Sequence, residues 1–233
     1  LKGEEIGPIN FKIKGYQKIG IIGMSGSGKS TLINLISGFL TPSQADIEIE
    51  GHKTNTMNIP DWQRQLIYIP QQPYVFSKSL RENIAFYHPE ATDQEILQAI
   101  HVMGLDDLLN DLPKGLDTVI GQGKRALSGG QAQRIALARA FLDPKRKVMI
   151  FDEPTAHLDI ETEIDLKTKM LPLMQKRLVF FATHRLHWLK EMDYILVMNH
   201  GQLVGQGTFA DLQANNSYFI DLIHGMRGES NDQ

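Results

Sequence analysis

Three stretches of this chain carry side chains whose types and spacing suit phosphate chemistry. GMSGSGKS, Gly23 to Ser30, fits G-x-x-x-x-G-K-[ST] between an apolar run and a helical one. Its glycines let backbone N–H groups approach phosphate oxygens with no Cβ in the way. Gly23, Ser25, Gly26, Ser27 and Gly28 would form the cradle, with Thr31 beside it. Lys29 would reach the β- and γ-phosphates, and Ser30 would ligate Mg²⁺. VMIFDEP supplies the complementary half. An apolar strand ends in Asp152, a hard oxygen ligand suited to Mg²⁺ through its water shell. Glu153 follows, placed to polarise an attacking water as general base.

Two further residues join by position. His184 follows the apolar run RLVFFAT and emerges at a strand's carboxyl end, where it could contact the γ-phosphate and orient the water. The other seven histidines are read as structural. Gln71 follows LIYI and Pro70, within reach of Mg²⁺ or the water through its amide.

The third stretch is RALSGGQAQRIALARA, Arg125 to Ala140. Ser128 at the N-cap and Gln131 at the third helical position make a capping box, which explains those two residues. It leaves Gly129 and Gly130 unexplained, since glycine weakens a helix start. They make sense where something large and anionic approaches the backbone. One nucleotide is already cradled by Gly23 to Ser30, so this turn serves either a second ligand or the nucleotide of another subunit.

The elements that position these residues follow from periodicity. IGPINFKI and QKIGIIG read as two strands around a Lys14-Gly15 turn, the second feeding the glycine loop and a helix from Lys29 to near Gly38. ADIEIEG reads as an edge strand and Leu66 to Ile69 as another. From about Pro73 to Leu112, SLRENIAF, DQEILQAIHVMG and LDDLLNDL have helical spacing, an inserted helical lobe. After the helix from Ser128 to about Leu142, strands KVMIFD, RLVFFAT and DYILVM alternate with helices. That pattern implies an α/β fold with a mostly parallel sheet. GQLVGQGTFADLQANNSYFIDLI reads as a small strand and two helices. The expected division is one domain: residues 1–72 and 143–226 as core with an antiparallel β subdomain, about 73–142 as helical lobe with the Ser128 helix, and 227–233 as a disordered tail.

Composition narrows the function classes. The 233 residues carry 42% hydrophobic and 22% charged side chains and a net charge of −3, so non-specific nucleic-acid binding has no support. There is no cysteine, hence no disulfide or thiolate metal site. No run approaches the roughly 20 apolar residues of a membrane span. The first residue is not methionine, and LKGEEIG is no signal peptide, so the expectation is a soluble piece of a longer chain.

Together these residues resemble the ATP-binding cassette of ABC transporters over almost the whole chain. Walker A is GMSGSGKS, the Q-loop glutamine Gln71, the signature LSGGQ, Walker B VMIFDE, the D-loop AHLD with Asp159, and the switch histidine His184. The resemblance implies a P-loop NTPase fold, ATP and Mg²⁺ as cofactors, and a second cassette paired head to tail in a homo- or heterodimer. Ser128, Gly130 and Gln131 would then touch the partner's ATP. PYVFSKSLRENIAF and LPKGLDTVIGQGKRALSGGQ look like exporter-type cassettes fused to membrane domains. SGGQAQRIALARAF, DEPTAHLDIETE and FFATHRLH look closest to the CydC/CydD-type cysteine and glutathione exporters tied to cytochrome bd assembly.

By that resemblance the chain powers export from the cytoplasmic face of the cell membrane, and the surface around Val75 and Phe76 receives a loop of the membrane domain. The family's adenine-stacking aromatic lies about two dozen positions before Walker A, and only 22 residues precede Gly23 here, so it is expected upstream of Leu1. An acidic residue often found before the signature is Gln122 here. The alternative is a cassette acting on ribosome or DNA, but no coiled-coil insertion, second cassette or basic linker is present. A small-molecule P-loop kinase is opposed by LSGGQ and the switch histidine, and intact Glu153, His184 and LSGGQ oppose a half-site that only binds ATP.

Overall fold

A computed structural model describes residues 6–121 and 127–229. Gln122 and Arg125, singled out above, lie outside the described residues. The elements run β1 (Lys18–Ile22), α1 (Lys29–Ile36), β2 (Ile47–Ile49), β3 (His52–Thr54), α2 (Pro60–Gln65), β4 (Leu66–Ile69), α3 (Leu80–Ile84), α4 (Asp93–Val102) and α5 (Asp106–Asn110). There follow α6 (Gly129–Leu142), β5 (Val148–Asp152), α7 (Ile160–Leu173), β6 (Leu178–Ala182), α8 (Leu186–Leu189), β7 (Tyr194–Asn199), β8 (Gln202–Gly207), α9 (Phe209–Asn215) and α10 (Ser217–Glu229). They make two compact units. One holds Leu1–Leu66, Lys147–Glu153 and Lys176–Gln233; the other holds Ile67–Arg146 and Pro154–Gln175.

In the first unit five strands lie in the order β5-β6-β1-β7-β8, all parallel except β8. The parallel strands are apolar nearly end to end because both faces are covered. Ile19, Ile21 and Ile22 of β1, Phe151 of β5 and Phe181 of β6 are fully buried, and the Trp188 ring of α8 lies 4.5 Å from the Phe181 ring, centre to centre, tilted by 32°. Burying one such side chain stabilises by about 1.5–3 kcal/mol. The strand register sets the site: Asp152 lies opposite Ala182, and Ala182 opposite Ile21. Three chain segments therefore leave the sheet at one level of its carboxyl edge.

The expected strand over residues 6–13 is absent. Its alternation is real, with Ile9, Phe11 and Ile13 half-buried and Pro8, Asn10 and Lys12 exposed. Gly7 at φ 117° and Pro8 without an N–H break the ladder there. Besides the β7–β8 pair, antiparallel strand pairing among the described residues comes from the hairpin β2–β3, whose second strand and the following α2 carry no clear periodicity in the sequence. Glu50 and Gly51, both at positive φ, form its two-residue turn. α10 runs to Glu229, whereas the expected tail begins at Arg227.

In the second unit β4 is followed by α3, α4 and α5, all packed with α6 or its neighbours. Capping boxes start α3 (Ser79 with Glu82) and α4 (Thr92 with Glu95), which explains where helices begin in this polar stretch.

Candidate functional site

In the first unit the loop from Gly23 to Gly28 joins β1 to α1, whose first two residues are Lys29 and Ser30. Gly26 and Gly28 sit at φ 75° and 97°, conformations that side chains strain to adopt. A Cβ on Gly23 would collide with the Met198 carbonyl and the Ser27 hydroxyl. Ser27 Oγ is buried and has no hydrogen-bond partner among the described residues. A buried donor in a glycine cradle fits an anionic ligand. Lys29, 8% exposed, donates from Nζ to the carbonyls of Gly23 and Met24 at 2.8 and 3.1 Å. Burial pulls its pKa down, against the opposing pull of Glu153 and Asp152. The ammonium thus spans the loop, ready to exchange two neutral carbonyls for phosphate oxygens.

Asp152 ends β5 with its carboxylate 3.5 Å from Ser30 Oγ. Burial pushes its pKa up, more than Ser30 and Lys29 hold it down. A buried carboxylate so placed would gain from a further cation. Among the described residues no group of three His, Asp or Glu could hold a metal. Two hard oxygen donors, Ser30 and Asp152, nevertheless fit Mg²⁺, which keeps waters and takes phosphate oxygens rather than a full protein cage.

Glu153 comes next, at φ 48°, with its N–H bonded to the Ala182 carbonyl at 3.0 Å. Such left-handed backbone at a non-glycine costs about 1–3 kcal/mol and is found at functional sites. It turns the side chain out of the sheet edge, where Oε1 lies 3.5 Å from His184 Nδ1. That approach, with help from Lys29 and Arg185, holds Glu153 below the usual carboxylate range despite its partial burial. Neighbouring carboxyls are thus driven in opposite directions. Lys29, Ser30, Asp152, Glu153 and His184 come together in this unit.

Gln71, Ser128 to Gln131 and Asp159 belong to the second unit. The capping box is present: Gln131 N–H donates to Ser128 Oγ at 3.1 Å, and Ser128 N–H to Gln131 Oε1 at 3.0 Å. The glycines have a reason inside the chain as well. A Cβ on Gly129 would press on the His157 ring at 3.3 Å, and one on Gly130 on Leu158 Cδ2 at 3.1 Å. Packing within the chain is thus a second reason for the glycines beside an approaching anion: α6 starts against the segment leading to Asp159. Asp159 caps α7 through the Thr162 N–H at 2.9 Å.

Sequence reasoning passed over Gln133. It is fully buried on α6, accepting from the His157 N–H at 3.0 Å and donating to the Gln71 carbonyl at 3.4 Å. Its readable signal was a polar residue at the head of the i, i+3, i+4, i+7 face that continues in Ala136, Leu137 and Ala140.

Against known proteins, residues 6–156, well over half the chain, match the family described as ABC transporter. The chain belongs to the ABC transporter family. A Bacillus subtilis (strain 168) relative of this ABC transporter chain is named glutathione/L-cysteine transport system ATP-binding/permease protein CydC. It is 49% identical over 227 residues, 97% of this chain and 40% of that protein. The ATP-dependent lipid A-core flippase of Nitrosococcus oceani is 36% identical over 222 residues, 95% of this chain and 37% of the flippase. Among solved structures, a bacterial Atm1-family ABC exporter with ATP bound superposes with TM-score 0.82 at 30% identity, over 92% of this chain and 37% of the exporter chain. The resemblance to exporter-type cassettes, and to the CydC/CydD group among them, is borne out. The chain spans 40% or less of these relatives' length. Among the described residues no helix is long and apolar enough to cross a membrane.

Proposed function

We propose that this chain binds ATP with Mg²⁺ and hydrolyses it to drive an exporter, acting from the cytoplasmic face of the membrane as one of two cassettes paired head to tail. The observation that carries the reading is the Glu153 carboxylate 3.5 Å from His184 Nδ1, one residue beyond a buried Asp152 whose carboxylate lies 3.5 Å from Ser30 Oγ at the end of the glycine loop. Gly23 to Ser30 would wrap the phosphates with backbone N–H groups. Lys29 would turn from its carbonyls to the β- and γ-phosphates. Mg²⁺, held by Ser30 and Asp152, would neutralise charge on the phosphate oxygens, and Gln71 would offer its amide to the metal or the attacking water. Glu153 would take the proton of the attacking water, and His184 would orient both. Ser128, Gly129, Gly130, Gln131 and Asp159 would face the partner cassette's nucleotide.

The membrane domain would come from the same chain or complex, with its loop received around Val75 and Phe76. The 49% identity to a protein named for glutathione/L-cysteine transport supports those thiols as cargo. The slightly acidic charge argues against nucleic acid as partner. The test is Glu153→Gln in the full-length protein. ATP turnover should fall at least 100-fold, within the range of lost acid–base catalysis, while ATP affinity stays within about threefold. Turnover unchanged in that variant would remove Glu153 from the mechanism.

A further inference from the structure

Gln133 is a buried carboxamide on an apolar helix face, where an unpaired amide would cost about 1–3 kcal/mol. Its partners are two loop backbone groups, and neither Gln71 nor His157 lies in a strand or helix. The orientation of the amide is set by them. The His157 N–H can only donate, so Oε1 must face it; the Gln71 carbonyl can only accept, so Nε2 must face it. One side chain thereby holds Gln71, the second residue after β4, and the segment that ends in Asp159.

That segment is fixed on its other sides too. The ring of His157 rests against Gly129, where an added Cβ would lie 3.3 Å from it and make it give by a few tenths of an ångström. Thr155 donates to the fully buried Glu163 at 2.5 Å, and Leu158 N–H bonds back to the Thr155 carbonyl at 3.1 Å. With the turn braced at Thr155 and at Asp159, the His157 amide is the point where α6 grips its middle.

We propose that Gln133 is a positioning residue for turnover, setting the Gln71 backbone and the His157–Asp159 segment in one register so that a shift at either is carried to the other through α6. The inference rests on the ATPase reading above and deepens it. Gln71 faces the nucleotide of its own cassette in that reading, and Asp159 that of the partner. Gln133 then ties the two active sites of a pair together without touching either nucleotide.

The experiment compares wild type, Gln133→Met and Glu153→Gln in the full-length protein, by steady-state ATP hydrolysis and by amide hydrogen exchange. Methionine keeps the length of the side chain and removes both hydrogen bonds. Gln133→Met should lower kcat at least tenfold with KM for ATP within twofold, and the His157 amide should exchange at least fivefold faster. A kcat within twofold of wild type, or unchanged exchange at His157, overturns the proposal. So does a parallel loss of kcat and ATP affinity, the mark of general unfolding. Should Gln133→Met fail to fold, Gln133→Glu keeps the acceptor toward His157 and loses the donor toward Gln71. Its His157 exchange should stay within twofold while kcat falls, and acceleration there overturns the proposal. Equal turnover of wild type and Glu153→Gln would instead sink the hydrolysis reading, and exchange at His157 would then decide the tie alone.

Discussion

Asp152 and Glu153 are adjacent carboxyls that the fold treats in opposite ways, and pH separates them. Burial raises Asp152 in the folded state, so its contribution favours the fold below its unfolded pKa and is lost as pH rises through the raised value. His184 depresses Glu153, so its contribution is present above the unfolded pKa and is lost as pH falls through the lowered one. On that balance the Asp152 carboxylate opposes the fold at neutral pH, and in the proposed reading Mg²⁺ would offset it. Asp152→Asn should raise the melting temperature of the ligand-free protein at pH 7.5 by about 2–4 °C, the equivalent of about 1 kcal/mol in a chain of this size. The gain should shrink as pH is lowered through the raised pKa, and the extra stabilisation by Mg²⁺ with ATP should be lost. Differential scanning calorimetry with and without nucleotide checks all three. A lower melting temperature for the variant at pH 7.5 would mean that Asp152 is held by something other than an awaited cation.

At the level of elements, what could be read from the sequence is what local rules control. The strand–loop–helix at Gly23 to Ser30 was legible because a glycine loop between two periodicities has few other readings. Asp152, Glu153 and His184 were legible because parallel strands deliver their next residues to one edge. The strand over 6–13 was misread because alternation reports which side chains are buried, not whether the backbone finds a partner. Gly129 and Gly130 were half-read, because their packing against His157 and Leu158 joins residues almost thirty positions apart. Asn83 was invisible for the same reason. It is fully buried, taking the Phe76 N–H on Oδ1 at 2.9 Å and giving Nδ2 to the carbonyls of Phe76 and Ser79 at 3.0 Å. Arg139 of α6, itself buried, donates to its carbonyl at 2.8 Å and lies 5.0 Å from the Phe76 ring centre. Removing that carboxamide takes the acceptor from the Phe76 N–H and from Arg139 Nη2, which lies 3.2 Å from Oδ1. It also takes the donor from the carbonyls of Phe76 and Ser79, while the Arg139 bond to the Asn83 backbone carbonyl stays. Asn83→Ala should therefore cost about 2–4 kcal/mol, read as a lower urea midpoint. A loss under about 0.5 kcal/mol would show that the loop over 74–79 is held by its aromatic packing alone.

For the whole molecule, the decisive question is what the Ser128 turn faces. Its capping box and its glycines are now both explained within one chain, so neither demands a second nucleotide. What still points outward is position: Ser128 and Gly129 are exposed at the start of a 14-residue helix whose later residues are largely buried. A helix start of that kind is a ready site for negative charge. The chain's own nucleotide, in the proposed reading, would already be cradled by Gly23 to Ser30. In the proposed pair of cassettes, each Ser128 turn closes over the other's ATP, and turnover becomes a property of two chains. Ser128→Arg separates the two accounts. Arginine at the N-cap removes the Ser128 Oγ acceptor for the Gln131 N–H, a loss of about 1 kcal/mol of helix stability. If the turn is only a helix start, ATP binding and turnover should both survive that modest loss. If it closes a partner's site, nucleotide affinity of the full-length protein should stay within about threefold while turnover falls at least 100-fold. Equilibrium binding of a fluorescent ATP analogue beside steady-state hydrolysis distinguishes these outcomes, and surviving turnover would return the turn to the role of a cap.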